Sequence, residues 1–149
     1  MKKDLKGMKV AEVTQGNALI ADPIYHYIVM TDRIKGEKTE RDVIDTPWVQ
    51  RLRRIFQLQS ARWVFPTAEH TRFQHSLGTL HVAGAFSEQL YPSLLKVFKT
   101  ELPSFSYIEE LLRLAGLLHD IGHGPFCHFF DEQYLSRFHT NHEEVGQYI

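Results

Sequence analysis

The chain has one cysteine, Cys127, among its 149 residues, so no disulfide can form within it. Such thiol poverty fits a reducing compartment, and a cytosolic protein is expected. Long apolar runs are missing as well. The most apolar helix-like stretch, LLRLAGLLHDIGH, is broken by Arg113 and falls short of the roughly 20 residues that span a bilayer. The amino-terminal MKKDLKGMKVAEVTQGN has lysines with no apolar segment behind them, so no signal peptide is expected. Nor does either charge dominate. The formal net charge of -1 argues against a generally basic nucleic-acid binder, and neither a membrane nor nucleic acid is an expected partner. No repeat or low-complexity linker divides the chain. What is present, 43% hydrophobic and 23% charged residues, is the balance of a soluble globular chain of single-domain length that can bury a core.

The hydrophobic period changes along the chain. The start reads as strands: MKVAEVT, the turn signal Gly16-Asn17, then ALIAD, with YHYIVMT as a third candidate. After residue 45 the reading is helical. Thr46 is placed to cap a helix that has Pro47 at its first position, where a missing N–H costs nothing. Leu80, Ala83, Phe86 or Ser87, Leu90 and Leu94 keep helical spacing, and Pro92 is expected to end or kink that segment. Ser106 and Glu109 have capping-box spacing and open YIEELLRLAGLLHD, which is apolar around much of its circumference and predicts a central helix. Gly122, Gly124 and Pro125 stop it behind His119-Asp120. Thr140 and Glu143 predict one more helix near Asn141, about two turns long before Ile149. It leaves Val145 and Ile149 little to pack against, so the chain is expected to be the N-terminal part of a longer protein.

Histidine is what the chain has in plenty. Five of its nine histidines fall in HDIGHGPFCHFFDEQYLSRFHTNHE, residues 119 to 143. A lone histidine is usually structural, and His26, His70, His81 and His139 are read that way. His119-Asp120 differs, because these polar groups end the most apolar helix and a buried carboxylate needs a partner or a cation. Imidazole nitrogen plus carboxylate oxygen is a ligand set suited to divalent Mn, Fe, Zn or Mg. Neighbouring helical residues point about 100° apart, so the pair converges on one ion only at a helix end or with side chains bent toward each other, and other ligands must come from elsewhere. In HTRFQHSLGTLH, Arg72 and His75 stand three apart and share a face if helical, offering a metal ligand and a phosphate clamp.

The order RFQHSLG, LLHDIGHGPFCHFFD, HEE resembles the HD-domain phosphohydrolases, and within them the deoxynucleoside triphosphate triphosphohydrolases. ADPI, IDTPWVQRLRRIFQL and VFPTAEHTRF belong to the same likeness, which covers most of residues 20 to 145. The resemblance implies a mainly α fold, an HD-domain helical bundle with a small N-terminal β-hairpin. It divides the chain into 1–45, hairpin and loop, and 46–149, the N-terminal part of the HD domain. It also implies one divalent ion (Mn, Fe, Zn, Ni or Mg) held by His75, His119 and Asp120, with a further aspartate that lies downstream of this chain. Asp131 stands too early for that role and matches a different family position. His123, His128, His142 and Glu143 would surround the metal as acid–base and orienting groups, with His128 near the leaving group and His142 with Glu143 orienting water and ligands. Arg72 would meet a phosphate and Gln57 the sugar. The implied reaction is dNTP plus water giving deoxynucleoside and inorganic triphosphate.

In one branch of the family, residues matching Asp45, Gln50 and Arg53 help bind an activating guanine nucleotide between subunits, so a homo-oligomer and an activator are implied. A lysine of that site is replaced here by Ala18, and residues 31 to 42 read as a loop insertion. Arg51, Arg53 and Arg54 otherwise read as a solvated basic helix face. Two other classes stand beside the first: an HD phosphohydrolase of another nucleotide class, and a non-catalytic module that senses nucleotides or binds single-stranded nucleic acid through residues 51 to 62.

Overall fold

The computed structural model describes residues 18–31 and 36–149. Strands β1 (Leu19–Asp22) and β2 (His26–Val29) pair antiparallel with Leu19 opposite Val29 and Asp22 opposite His26. Asp22 makes the turn between them, since its Oδ1 accepts from the backbone N–H of Ile24 at 2.8 Å and of Tyr25 at 2.9 Å. The hairpin therefore joins the second and third predicted strands. MKVAEVT and Gly16-Asn17 lie outside the described residues.

Part of the expected loop insertion is helical. Thr39 and Asp42 cap α1 (Glu40–Ile44), with Thr39 N–H donating to Asp42 Oδ2 at 2.8 Å and Asp42 N–H to Thr39 Oγ1 at 3.3 Å. Thr46 caps α2 (Pro47–Gln50), as its sequence predicts, and the helix tightens into a 3-10 turn at Arg51–Arg54. Residues 55–71 are not the helix expected there. They hold one 3-10 turn, Gln59–Trp63, and fold back through Gln57 N–H to His70 O at 3.1 Å and Arg72 N–H to Ile55 O at 2.8 Å. That return delivers Thr71 as the cap of α3 (Arg72–Phe98).

Helix α3 runs past Pro92 instead of ending there. Proline removes one ladder bond, and its surroundings compensate. Tyr91 Oη donates to Pro103 O at 2.9 Å, and its ring meets Phe105 edge-on at 5.4 Å, fastening this stretch to the start of α4 (Phe105–Leu118). The cap of α4 is Ser104, which accepts from Tyr107 N–H, and not Ser106. Helix α4 lies along α3 with Gly116 against the backbone of Thr79, where a Cβ would stand 3.1 Å from the carbonyl oxygen. It is central on one face only: Arg113 and Leu117 are buried, while Tyr107 and Leu111 are exposed among the described residues. After the turn at 119–126 come α5 (Cys127–Gln133), a 3-10 turn at Leu135–Phe138, and α6 (His142–Gln147). The cap of α6 is Asn141, one residue past the predicted Thr140.

One core joins hairpin and helices. Ile28 and Met30 pack with Ile44, Leu52, Leu77, Leu80 and Leu117 in a single buried cluster, so the described residues before 46 supply part of the same core as those after it. A buried ion pair pins the layers. The Arg113 guanidinium meets the Glu40 carboxylate through two bonds, Nε to Oε1 at 2.5 Å and Nη2 to Oε2 at 2.8 Å, and also donates to Val29 O at 2.8 Å. Arg113, the residue that interrupts an apolar run, thus ties α4 to α1 and β2. No helix among the described residues is long and apolar enough to cross a membrane.

Candidate metal centre and histidine cluster

Two helices converge on Asp120. The first turn of α3 presents Arg72 and His75, three residues apart on one face as their spacing predicts, and the end of α4 presents His119 as its C-cap. Asp120 is 5% exposed. Its Oδ2 accepts from Arg72 Nη1 and lies 3.5 Å from His75 Nε2, while its Oδ1 lies 3.3 Å from His119 Nε2 and 3.5 Å from His123 Nε2. Burial opposes ionisation of Asp120. The neighbouring His123 and His119 imidazoles and the Arg72 guanidinium overcome it and hold the carboxyl well below the usual carboxylate range. Burial and the neighbouring cations lower His75 and His123, leaving both rings neutral near pH 7.

These atoms fit a divalent ion. His75 Nε2 and His119 Nε2 are 3.2 Å apart, and with an Asp120 oxygen they lie within 4.8 Å of one another, a span bridged by metal–ligand bonds of about 2.0–2.2 Å. His119 Nδ1 sits 2.8 Å from Gly116 O. A carbonyl can only accept, so the ring proton belongs on Nδ1 and the lone pair of Nε2 faces His75 and Asp120. Two imidazoles and a carboxylate make the mixed donor set expected from His119-Asp120 and His75.

Beside this set stands a second group, His123, His128, Asp131 and His142. Asp131 Oδ2 is its centre, 2.5 Å from His142 Nδ1, 3.5 Å from His128 Nδ1 and 3.9 Å from His123 Nδ1. The His123 and His142 rings stack at 3.7 Å, and His128 meets both edge-on at 4.8 and 5.1 Å. His123 is fully buried with neither ring nitrogen in a hydrogen bond, and it bridges Asp120 on one side and Asp131 on the other.

The remaining expected residues divide. Glu143 is exposed on the first turn of α6 and stands outside both groups. Gln57 is half-buried beside the start of α3, its Oε1 buried without a partner. Arg72 is 3% exposed, and besides Asp120 it holds Cys127, Nε donating to Sγ at 2.8 Å. Gln50 and Arg53 are joined, Arg53 Nε to Gln50 Oε1 at 2.7 Å, whereas Asp45 pairs with Arg41 at 3.6 Å. The basic face read at 51 to 54 holds for exposed Arg53 and Arg54 and fails for Arg51, which turns inward to the carbonyls of Ile121 and His123. A groove of about 570 Å³ opens beside His75, between Asp22 to Tyr25 of the hairpin turn and Gln74, Gly78 and Val82 of α3.

Sequence reasoning missed Asp131, Arg51 and Cys127. The signal for Asp131 was its place three residues after His128, which puts both on one face of α5. For Arg51 and Cys127 no local pattern marks a partner 70 or 55 residues away.

Comparison with known proteins shows the family. The sequence profile described as HD domain matches residues 72–149. A Dictyostelium discoideum protein named deoxynucleoside triphosphate triphosphohydrolase SAMHD1 homolog is 35% identical over 96% of this chain and 29% of its own. The Homo sapiens deoxynucleoside triphosphate triphosphohydrolase SAMHD1 is 38% identical over 78% of this chain and 17% of its own. Among solved structures, a phosphohydrolase from Bacteroides thetaiotaomicron superposes with a TM-score of 0.63 at 33% identity, covering 87% of this chain and 29% of that one. The chain therefore spans less than a third of the length of these relatives.

Proposed function

The chain belongs to the HD domain family, and from that premise we propose that it works as a metal-dependent phosphohydrolase that cleaves a dNTP to deoxynucleoside and inorganic triphosphate. The observation that carries this reading is Asp120, a buried carboxylate ringed by His75, His119, His123 and Arg72 and joined through His123 to the Asp131 cluster. The names of the relatives supply the substrate class.

His75, His119 and Asp120 would hold one divalent ion, which supplies a Lewis acid for the phosphates and lowers the pKa of water. The protein's own groups do the rest. Asp131 accepts from His142 Nδ1, which fixes the tautomer of that ring and leaves Nε2 free to orient water. His128, held by the same carboxylate, would give a proton to the oxygen of the departing deoxynucleoside. His123 would keep the two carboxylates in register, and Glu143 would act at the margin with His142. Arg72 would steady Asp120 and face a phosphate, and Gln57, with a buried carbonyl oxygen to satisfy, would meet the sugar. Water adds at the α-phosphorus, the bond to the deoxyribose 5′ oxygen breaks, and triphosphate leaves intact. The groove beside His75 is of ligand size. A cytosolic homo-oligomer, with an activating nucleotide at Asp45, Gln50 and Arg53, completes the same reading.

The test is product identity. Incubation with Mn²⁺ and a dNTP, followed by phosphorus NMR, should show triphosphate and deoxynucleoside in equal amounts. Orthophosphate or pyrophosphate as the first product would mark a different phosphohydrolase class. Nucleotide binding that raises Tm without turnover would mark a sensing module.

A further inference from the structure

Arg51 belongs to neither histidine group, and its neighbours Arg53 and Arg54 face solvent. Its guanidinium instead reaches across the molecule to the turn that follows His119. Nη1 donates to His123 O at 2.7 Å and Nη2 donates to Ile121 O, so the fork spans Gly122. Trp48 covers the guanidinium, 6.0 Å from ring centroid to Cζ. Burial works against the charge, which the two carbonyl dipoles offset.

The turn needs such a partner. Its residues have left α4, so their carbonyls point away from the helix ladder and require other donors. A planar guanidinium can satisfy two acceptors at fixed separation, which a lysine ammonium cannot. Asp120 lies just before the first gripped carbonyl and His123 carries the second. The turn is also wedged from the other side, because Gly122 packs against the backbone of His142 and Gly146 in α6. Fixing residues 121–123 between Arg51 and α6 fixes the separation of Asp120 from the His123 ring.

We infer that Arg51 is a positioning residue, whose fork across Gly122 keeps the His75, His119 and Asp120 set in register with the His123, His128, Asp131 and His142 cluster. The link to metal rests on the function proposed above; the grip on the turn does not.

The test compares wild type, Arg51→Ala and Arg51→Lys by amide hydrogen exchange and by Mn²⁺ titration, with and without millimolar methylguanidinium. In Arg51→Ala, exchange at residues 121–124 should rise about tenfold while the middle of α3 keeps its protection, and Mn²⁺ affinity should fall about 10- to 100-fold, the usual cost of losing a group that orients metal ligands. Methylguanidinium should recover both, and Arg51→Lys, which keeps charge without the fork, should fall short of wild type. Unchanged exchange at 121–124, or a global rise that methylguanidinium does not reverse, would overturn the inference. Wild type that holds no Mn²⁺ would refute the proposed function instead, and the exchange comparison would still decide the role of Arg51.

Discussion

Burial works against ionisation of Asp120, yet its surroundings hold it ionised. The sequence made this residue legible, because His-Asp at the end of an apolar helix is costly without a partner. His75 was legible from its spacing to Arg72. Asp131 was not: it stands too early for the further metal-ligating aspartate, and the partner that shows its place, His142, lies eleven residues on and meets it only in the fold. Gly122 tests this packing at the scale of one atom. A Cβ there would collide with His142 O and stand 2.5 Å from Gly146 N, both of them backbone atoms that cannot swing aside. Gly122→Ala should therefore cost about 3 kcal/mol, the upper range for overpacking, as read from urea unfolding, and it should also loosen the grip of Asp131 on His142. A cost under about 0.5 kcal/mol, the range of neutral surface changes, would mean that α6 is not seated there.

At the scale of elements, local chemistry decided what could be read. Thr46-Pro47 announces α2 because cap and first residue are adjacent in sequence. Ser104 was misread as Ser106 because both are serines near the helix start, and the contact that favours the earlier start, Phe105 against Tyr91, is tertiary. Pro92 was read as an end or a kink because its effect on the ladder is local, whereas the bond that steadies α3 beside it, Tyr91 Oη to Pro103 O, comes from the residues just before α4. The Glu40 and Arg113 pair shows the same limit, linking buried residues 73 apart. Glu40→Ala leaves the guanidinium buried without its carboxylate, and removal of one partner of such a pair typically costs about 3–5 kcal/mol. Thermal unfolding should show that loss, with the hairpin and α1 losing exchange protection first. Equal protection of α1 in variant and wild type would show that the pair does not tie these elements together.

For the whole molecule, imidazoles drawn partly or wholly out of water, half-buried His75 and His81 and fully buried His123, shape the response to acid. His75, His81 and His123 all have pKa values lowered chiefly by burial, so the folded chain binds fewer protons at these rings than the unfolded chain does. Their contribution to stability is complete above the unfolded value, about pH 6.5, and is lost as pH falls through it toward the folded values. Asp120 acts in a lower window, contributing fully above about pH 4 and losing that contribution on further acidification. The urea midpoint should thus fall steadily from about pH 7.5 to 5.5, a range that contains the unfolded histidine value. A flat or rising midpoint would contradict the lowered pKa values of these rings. The mainly α architecture with a β-hairpin was legible in the change of period after residue 45. The single core shared by hairpin and helices was not, because it is assembled from residues far apart in sequence.

The most direct test is elemental analysis of the purified chain for Mn, Fe, Zn, Ni and Mg, repeated on His119→Ala and Asp120→Ala. Three protein ligands suffice for a catalytic-type site, so wild type should carry about one metal ion per chain and both variants should lose it. A chain that holds no metal, or variants that keep it, would contradict the assignment of His75, His119 and Asp120 as a metal centre.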